Sequence, residues 1–238
     1  MLNTTVFEFP AIPGEVVSRS PFDFEAASDL PDVPALPETL IALELQLCEW
    51  PVNLGAVASV LLGDLGAVIQ VLRQVGREHG DSQWRPDRIE DCICDLGLRA
   101  CLAEASRGSL RRGDRLSEWT ATSVHAREIA RSCGVIAEEA CASIRPCQAY
   151  LAGLLHELGT LPIALGWDHS ELPANPDLCA LRLAECWDFP QFLKEFFRDA
   201  CRPGRESQWT RLIAEAHRLS GDRATRGSLT IFPVLLPA

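Results

Sequence analysis

The sequence predicts an all-α fold. Apolar residues recur at the spacing of one helix face through most of the chain, as in Leu65, Val68, Ile69 and Leu72. Glycine, proline, asparagine and aspartate stand between these segments, where helices begin and end. The alternation of apolar and polar residues that marks a half-buried strand is missing from the first half of the chain. At 238 residues the chain is long enough to bury a substantial core.

The first half is predicted to hold five helices. They are expected at residues 36–47, 54–61, 65–75, 85–96 and from 98 onward. Pro37 and Glu38 suit the first turn of the first helix. Asn53 and Asp64 can cap the second and third, and Gly97 separates the last two.

The second half begins near residue 116 with the same helical periodicity. Its predicted helices cover 116–133, 150–161, a segment from 176, a segment from 190, and 207–220. Gly134 is expected just past the first of these, and Gly159 and Pro162 are expected to end the second. Asn175 followed by Pro176 is a typical helix start.

The two ends of the chain lack this periodicity. Residues 1–33 are predicted to be an extended leader, whose aromatic residues could pack onto the domain. These aromatic residues are Phe7, Phe9, Phe22 and Phe24. The C-terminal tail, 221–238, ends in an apolar run that is expected to pack on the domain or on a partner.

Charge and composition exclude several classes of partner. The net charge of −11 argues against nucleic acid, because no basic surplus is available to displace counterions. No signal peptide and no apolar run of about 20 residues is found, so a cytoplasmic protein without a membrane partner is expected. Ten cysteines without a CxxC motif, most at core positions, are expected to be reduced thiols.

The pair His156-Glu157 is the most informative feature of the second half. It follows a run rich in leucine, with Leu151, Leu154 and Leu155 just before it. Burying such polar groups is unfavourable unless they are paired or bind something. Two interpretations follow: a satisfied polar pair near a helix end, or the remnant of a metal-binding site.

Several motifs in this order resemble the HDOD domain (HD-related output domain) of bacterial signalling proteins. The resembling segments are Leu36-Pro-Glu, residues 63–73, Leu96-Gly-Leu, Trp119-Thr-Ala-Thr-Ser-Val-His-Ala and the His156-Glu157 doublet within Ala-Gly-Leu-Leu-His-Glu-Leu-Gly. The resemblance implies one HDOD unit over 34–220. It would consist of an N-terminal helical subdomain, 34–112, and a degenerate HD-like helical subdomain, 113–220.

The resemblance also implies a ligand set that this chain has largely lost. Active HD phosphohydrolases hold metal with a first histidine, a His-Asp doublet and a final aspartate. The matching positions here are Ala121, His156, Glu157 and His217. His125, one turn after Ala121, could replace the first histidine only if the backbone shifted; we expect it to be a half-exposed surface histidine instead. We therefore expect no cofactor and no metal; a metal, if present, would lie between His156, Glu157 and His217.

The predicted function is a non-catalytic bacterial signalling or regulatory module, which implies no catalytic residues. Three hypotheses remain open. The protein could be an interaction module with a large apolar or acidic surface patch, or a degenerate metal-dependent phosphohydrolase acting on a phosphodiester or nucleotide. It could also be a sensor whose cleft binds a small ligand. The candidate ligand residues are Thr122, Arg127, Arg131, His156, Glu157 and His217.

Overall fold

The computed structural model describes residues 30–79, 86–108, 115–140, 143–167, 172–202 and 207–225, and within them the fold is all-α, as predicted. The helices are α1 (Pro37–Cys48), α2 (Leu54–Leu62), α3 (Leu65–His79), α4 (Ile89–Leu96), α5 (Leu98–Ala105), α6 (Arg115–Ala140), α7 (Pro146–Leu154), α8 (Leu161–Leu165), α9 (Pro176–Cys186), α10 (Gln191–Ala200) and α11 (Gln208–Thr225). A 3-10 turn, Leu158–Thr160, lies between α7 and α8. The four phenylalanines of the leader and the apolar end of the tail lie outside the described residues.

Polar caps begin several of these helices where the sequence places them. The side chain of Asn53 accepts a hydrogen bond from the Ala56 N–H at 3.1 Å, and that of Asn175 accepts one from the Leu178 N–H. Asp64 is fully buried, and its Oδ1 accepts from the Gly66 and Ala67 N–H groups at the start of α3. Its Oδ2 accepts from the Leu36 N–H at 2.6 Å, so one carboxylate fixes the starts of both α3 and α1.

Helix α6 is longer than predicted, and the expected end before Gly134 is wrong. The helix continues through Gly134 to Ala140. A Cβ at Gly134 would lie 3.8 Å from the ring of Tyr150, so the glycine faces α7 at ordinary contact distance. Beyond it, Ala137 is buried with Leu212 and Ala216 of α11, and this packing favours continued helix despite the weak propensity of glycine.

Helix α7 is shorter than predicted. It ends at Leu154, whereas continuous helix was expected to about residue 161. Leu155 and Glu157 have ψ values of 5° and 20°, which break the α-helical hydrogen-bond ladder. Pro162 lies in the first turn of α8, a position that tolerates proline, and therefore begins a helix instead of ending one. His156 and Glu157 consequently lie on a turn.

One apolar core runs through both halves of the chain. It includes Leu72 of α3, Trp119 of α6, Leu155 after α7 and Phe197 of α10. A smaller cluster joins α6 to α11. The predicted subdomain division at 112/113 falls within residues 109–114, outside the described ranges, so it stays a prediction.

Helices α2 and α3 are the central apolar pair of the first half. Most of α3 is buried, from Leu65 to Gly76. No single helix of the described chain is long and apolar enough to cross a membrane. Together α2 and α3 reach that length and composition, with a bend of 113° between them.

The 3-10 turn packs closely on the start of α9 at Gly159. A Cβ there would lie 1.8 Å from the carbonyl oxygen of Pro176, so Gly159→Ala should force the turn and α9 apart. We expect the free energy of unfolding to fall by about 3 kcal/mol, the upper end of the usual overpacking range. Urea denaturation followed by circular dichroism measures this change.

Gly221→Ala is the matched control, because nothing lies within 4 Å of a Cβ at that helical position. It should leave stability unchanged or raise it by up to about 1 kcal/mol. Equal stability of the two variants would contradict the close packing at Gly159.

Candidate metal centre

Three histidines from separate parts of the chain come together in the second half. His125 lies on α6, His156 on the turn after α7, and His217 on α11. Their ring centroids are 5.5 Å apart for His125 and His156, 5.4 Å for His125 and His217, and 4.9 Å for His156 and His217. One nitrogen of each ring lies within 4.8 Å of the others. We call these residues the histidine cluster.

His156 has its two ring nitrogens in different environments. Nδ1 lies 2.8 Å from the carbonyl oxygen of Gly153. A carbonyl can only accept, so Nδ1 carries the proton and donates, and Nε2 keeps its lone pair. Nε2 is buried and has no hydrogen-bond partner. Burial is the main effect that lowers the pKa of His156 to about 4; the Gly153 hydrogen bond opposes it, and the nearby His217 and His125 add to it. The ring is therefore neutral at pH 7.

Glu157 adds a carboxylate beside the histidine cluster. Its Oε1 lies 3.8 Å from Nε2 of His156 and 3.9 Å from Nε2 of His125. Burial lowers the pKa of His217, with the same effect from His125 and an opposing effect from Glu157. The site thus offers three imidazole nitrogens and one carboxylate oxygen, and each belongs to a residue type that binds transition metals.

The structure gives His125, predicted to be a surface residue, a place in the histidine cluster. Its side chain is 39% exposed, as expected, yet its ring contacts both other imidazoles. Side chains of an α-helix lean towards its N-terminus and cover the preceding turn. The ring of His125 therefore needs no backbone shift to reach the region beside Ala121. The spacing of four residues between Ala121 and His125 is the sequence signal that indicates this arrangement.

The other candidate residues do not join the cluster. The hydroxyl of Thr122 donates to the Glu118 carbonyl of its own helix at 3.0 Å. Arg127 and Arg131 lower the pKa of Tyr150, against the dominant effect of burial, so they lie near that ring. The hydroxyl of Tyr150 donates to the Leu62 carbonyl at the end of α2. The two arginines therefore lie towards the junction with the first half.

Solved structures share this fold. The MmoQ response regulator from Methylococcus capsulatus str. Bath matches with a TM-score of 0.65 and 20% sequence identity over 85% of this chain and 88% of that chain. A virulence factor from Campylobacter jejuni subsp. jejuni matches with a TM-score of 0.50 and 16% identity over 83% and 78% of the two chains.

An HDOD domain protein with unknown function from Geobacter sulfurreducens also matches, with 20% identity over 88% and 80% of the two chains and a TM-score of 0.34. At these identities the first two matches establish a shared fold alone, and the HDOD resemblance rests on the motifs in the sequence. No protein-family model and no curated protein matches the chain.

The environment of His156 predicts its titration in metal-free protein. Its folded pKa of about 4 lies below the ordinary value of 6.5, so the unfolded chain binds more protons between these pH values. Acidification from pH 6.5 towards 4 should therefore remove stability, up to about 3 kcal/mol from this one group. Two-dimensional ¹H–¹⁵N NMR in the presence of a chelator measures the pKa and the Nδ1–H tautomer directly.

His156→Gln is the control for this prediction, since glutamine does not titrate. The stability of this variant should depend less on pH between 6.5 and 4.5 than that of the unsubstituted protein. A measured pKa above 6 for His156, or a ring protonated on Nε2 at neutral pH, would contradict the structure of the site.

Proposed function

We propose that the protein is a non-catalytic regulatory module that acts through binding, and that its small ligand is a divalent transition-metal ion. His125, His156 and His217 would hold the ion, and Glu157 would supply the fourth ligand. The observation that carries the proposal is the buried, unpartnered Nε2 of His156, on a neutral ring whose centroid lies 5.5 Å and 4.9 Å from those of His125 and His217. The proposal departs from the predicted empty site because the ring of His125 lies beside those of His156 and His217.

The donor set fits zinc or a similar ion. Imidazole suits Zn²⁺, Cu²⁺, Ni²⁺ and Fe²⁺, and a carboxylate completes a four-ligand site of the tetrahedral kind. Two nitrogens bound to one tetrahedral zinc lie about 3.3 Å apart. Ligand atoms here lie within 4.8 Å of one another, so rotations of partly exposed side chains would bring them into range. Histidine ligands of metals usually donate their second ring N–H to a nearby acceptor, which fixes the orientation of the ring. The Gly153 carbonyl is such an acceptor for His156.

The same donor count favours binding over hydrolysis. A hydrolytic metal needs open positions for water and substrate, whereas four protein ligands close a tetrahedral site. The residue that follows Gly159 is Thr160, where the HD pattern has lysine, and its hydroxyl donates to the Glu157 carbonyl at 2.8 Å. Thr122 is likewise bonded to its own helix. Neither hydroxyl donates into the cluster.

A bound ion would link three helical segments. His125, His156 and His217 belong to α6, to the turn after α7 and to α11, so occupancy would tie α11 to the α6–α7 pair. A regulatory role is supported by the likeness to a protein named as a response regulator. A ligand that binds only the folded protein stabilises it, by about 2.7 kcal/mol at one hundred times its Kd.

Zinc binding by the full chain without an affinity tag tests the proposal. Isothermal titration calorimetry on chelator-treated protein should give one site, and thermal unfolding should shift upward with zinc. His156→Ala should weaken binding by more than about 100-fold, since removal of an outer-shell partner alone costs 10- to 100-fold. His125→Ala and His217→Ala should weaken it similarly.

His79→Ala is the matched control, because His79 pairs with Asp95 in the first half. Every variant carries Cys48→Ser and Cys94→Ser, which remove exposed thiols that would compete for zinc. Equal zinc affinity of His156→Ala and His79→Ala would refute the site. Turnover of bis(p-nitrophenyl) phosphate that is lost in His156→Ala would replace the regulatory proposal with a hydrolase.

A further inference from the structure

The outer face of α1 carries apolar side chains that the fold leaves exposed. Ile41, Leu45 and Cys48 lie on one face of the helix, and the first two are 60% and 61% exposed. The opposite face is buried through Thr39 and Leu43. We call Ile41, Leu45 and Cys48 the α1 stripe. It belongs to the first half of the protein, away from the histidine cluster.

Two further apolar residues follow the α1 stripe along the chain. Trp50, two residues past the helix, is 93% exposed, and Leu54 at the start of α2 is 42% exposed. They extend the series of exposed apolar residues along the chain past the end of α1, and α2 packs on α1. Clustered exposed apolar side chains mark interaction sites, and tryptophan is among the residues that contribute most to binding.

Acidic side chains flank the α1 stripe on both sides. At 100° per residue, Glu38 and Glu49 lie about 60–80° to one side of Ile41 and Glu44 lies about 60° to the other. All three are exposed. Residues 37–49 contain no lysine or arginine, so the charges that α1 itself contributes are all negative. An apolar stripe between two acidic edges is complementary to a helix with an apolar stripe between two basic edges.

We infer that the α1 stripe is the docking surface for a basic amphipathic helix of a partner protein. Such helices bind through apolar residues spaced like those of a helix face, while their charges select the surface. A second copy of this chain would bring like charges together, at a net charge of −11 each. Anionic membrane surfaces attract basic segments and repel acidic edges.

The chain's own ends do not fit the same charge pattern. Residues 1–29 contain five acidic residues and one arginine, so their charge has the same sign as the edges of the α1 stripe. Residues 226–238 hold a single basic side chain, Arg226, too few to match both edges. Charge complementarity therefore favours a separate basic helix.

A pair of synthetic peptides tests the inference on the full chain. Both carry leucines at helix-face spacing, flanked in one by lysines and in the other by glutamates, and both carry a fluorescent label. The lysine peptide should bind with a Kd of about 10–100 μM. The glutamate peptide should bind at least about tenfold more weakly, because its flanking charges have the same sign as the acidic edges of the α1 stripe. Fluorescence anisotropy measures both.

Protein variants then locate the binding. The double variant Ile41→Glu with Leu45→Glu should lower the affinity for the lysine peptide by about tenfold or more, because it removes two apolar side chains from the centre of the α1 stripe. Val135→Glu is the control, because Val135 is an exposed apolar residue on α6. The triple change Glu38→Lys, Glu44→Lys and Glu49→Lys should reverse the preference and favour the glutamate peptide. Circular dichroism confirms that each variant is folded.

Three results would overturn the inference. The first is lysine-peptide binding that Ile41→Glu with Leu45→Glu leaves unchanged. The second is self-association in analytical ultracentrifugation that this double change abolishes, which would assign the surface to a second copy. The third is co-sedimentation with anionic phospholipid vesicles that it likewise abolishes. If His156→Ala binds the lysine peptide as the unsubstituted protein does, the docking surface is independent of the metal site proposed at the histidine cluster.

Discussion

The close approach of α7 to α6 at Gly153 is the constraint on which the candidate site depends. A Cβ at Gly153 would lie 2.8 Å from Cα of Ala130 and 2.9 Å from Sγ of Cys133, distances at which the helices would have to separate. The same residue's carbonyl accepts the Nδ1–H of His156. Gly153 therefore sets both the spacing of the two helices and the tautomer of the ring. In this arrangement the His156 ring lies 5.5 Å from that of His125 on α6, measured between centroids.

The histidine cluster differs from the ligand set that the HD resemblance implies. The position expected for the first histidine, Ala121, is exposed and has no donor atom. The ring that reaches the site comes from His125, one turn later, because helical side chains lean back over the preceding turn. Burial keeps His156 neutral, and this has two consequences. The neutral ring keeps a lone pair on Nε2 that can bind a metal ion. Because Nε2 is buried and has no hydrogen-bond partner, a bound ion would also satisfy an otherwise unsatisfied polar group.

Local signals in the sequence predict the helices well, and they fail where tertiary contacts dominate. Asn53, Asp64 and Asn175 begin helices because their side chains satisfy N–H groups that the helix leaves free. Gly134 does not end α6, since buried contacts with α11 extend the helix beyond it. The leucine spacing does not predict that α7 ends at Leu154, because the same spacing is compatible with a helix and with a buried turn. The place of His125 in the cluster depends on how α6, α7 and α11 meet, and this is a tertiary property.

Buried Arg73 connects the two halves of the described chain through Trp187. The guanidinium of Arg73 on α3 lies 4.7 Å from the ring of Trp187, which follows α9, and donates to the carbonyls of Leu30 and Pro31. Burial lowers the pKa of Arg73 to about 10, and its nearest carboxylate, Asp32, is partly exposed at 3.6 Å. A buried charge in such surroundings is stable only while the ring and the carbonyls stay in place. Separation of the halves would remove the contact with Trp187, because the carbonyls of Leu30 and Pro31 belong to the same half as Arg73. The cation–π contact therefore favours the closed arrangement of the two halves.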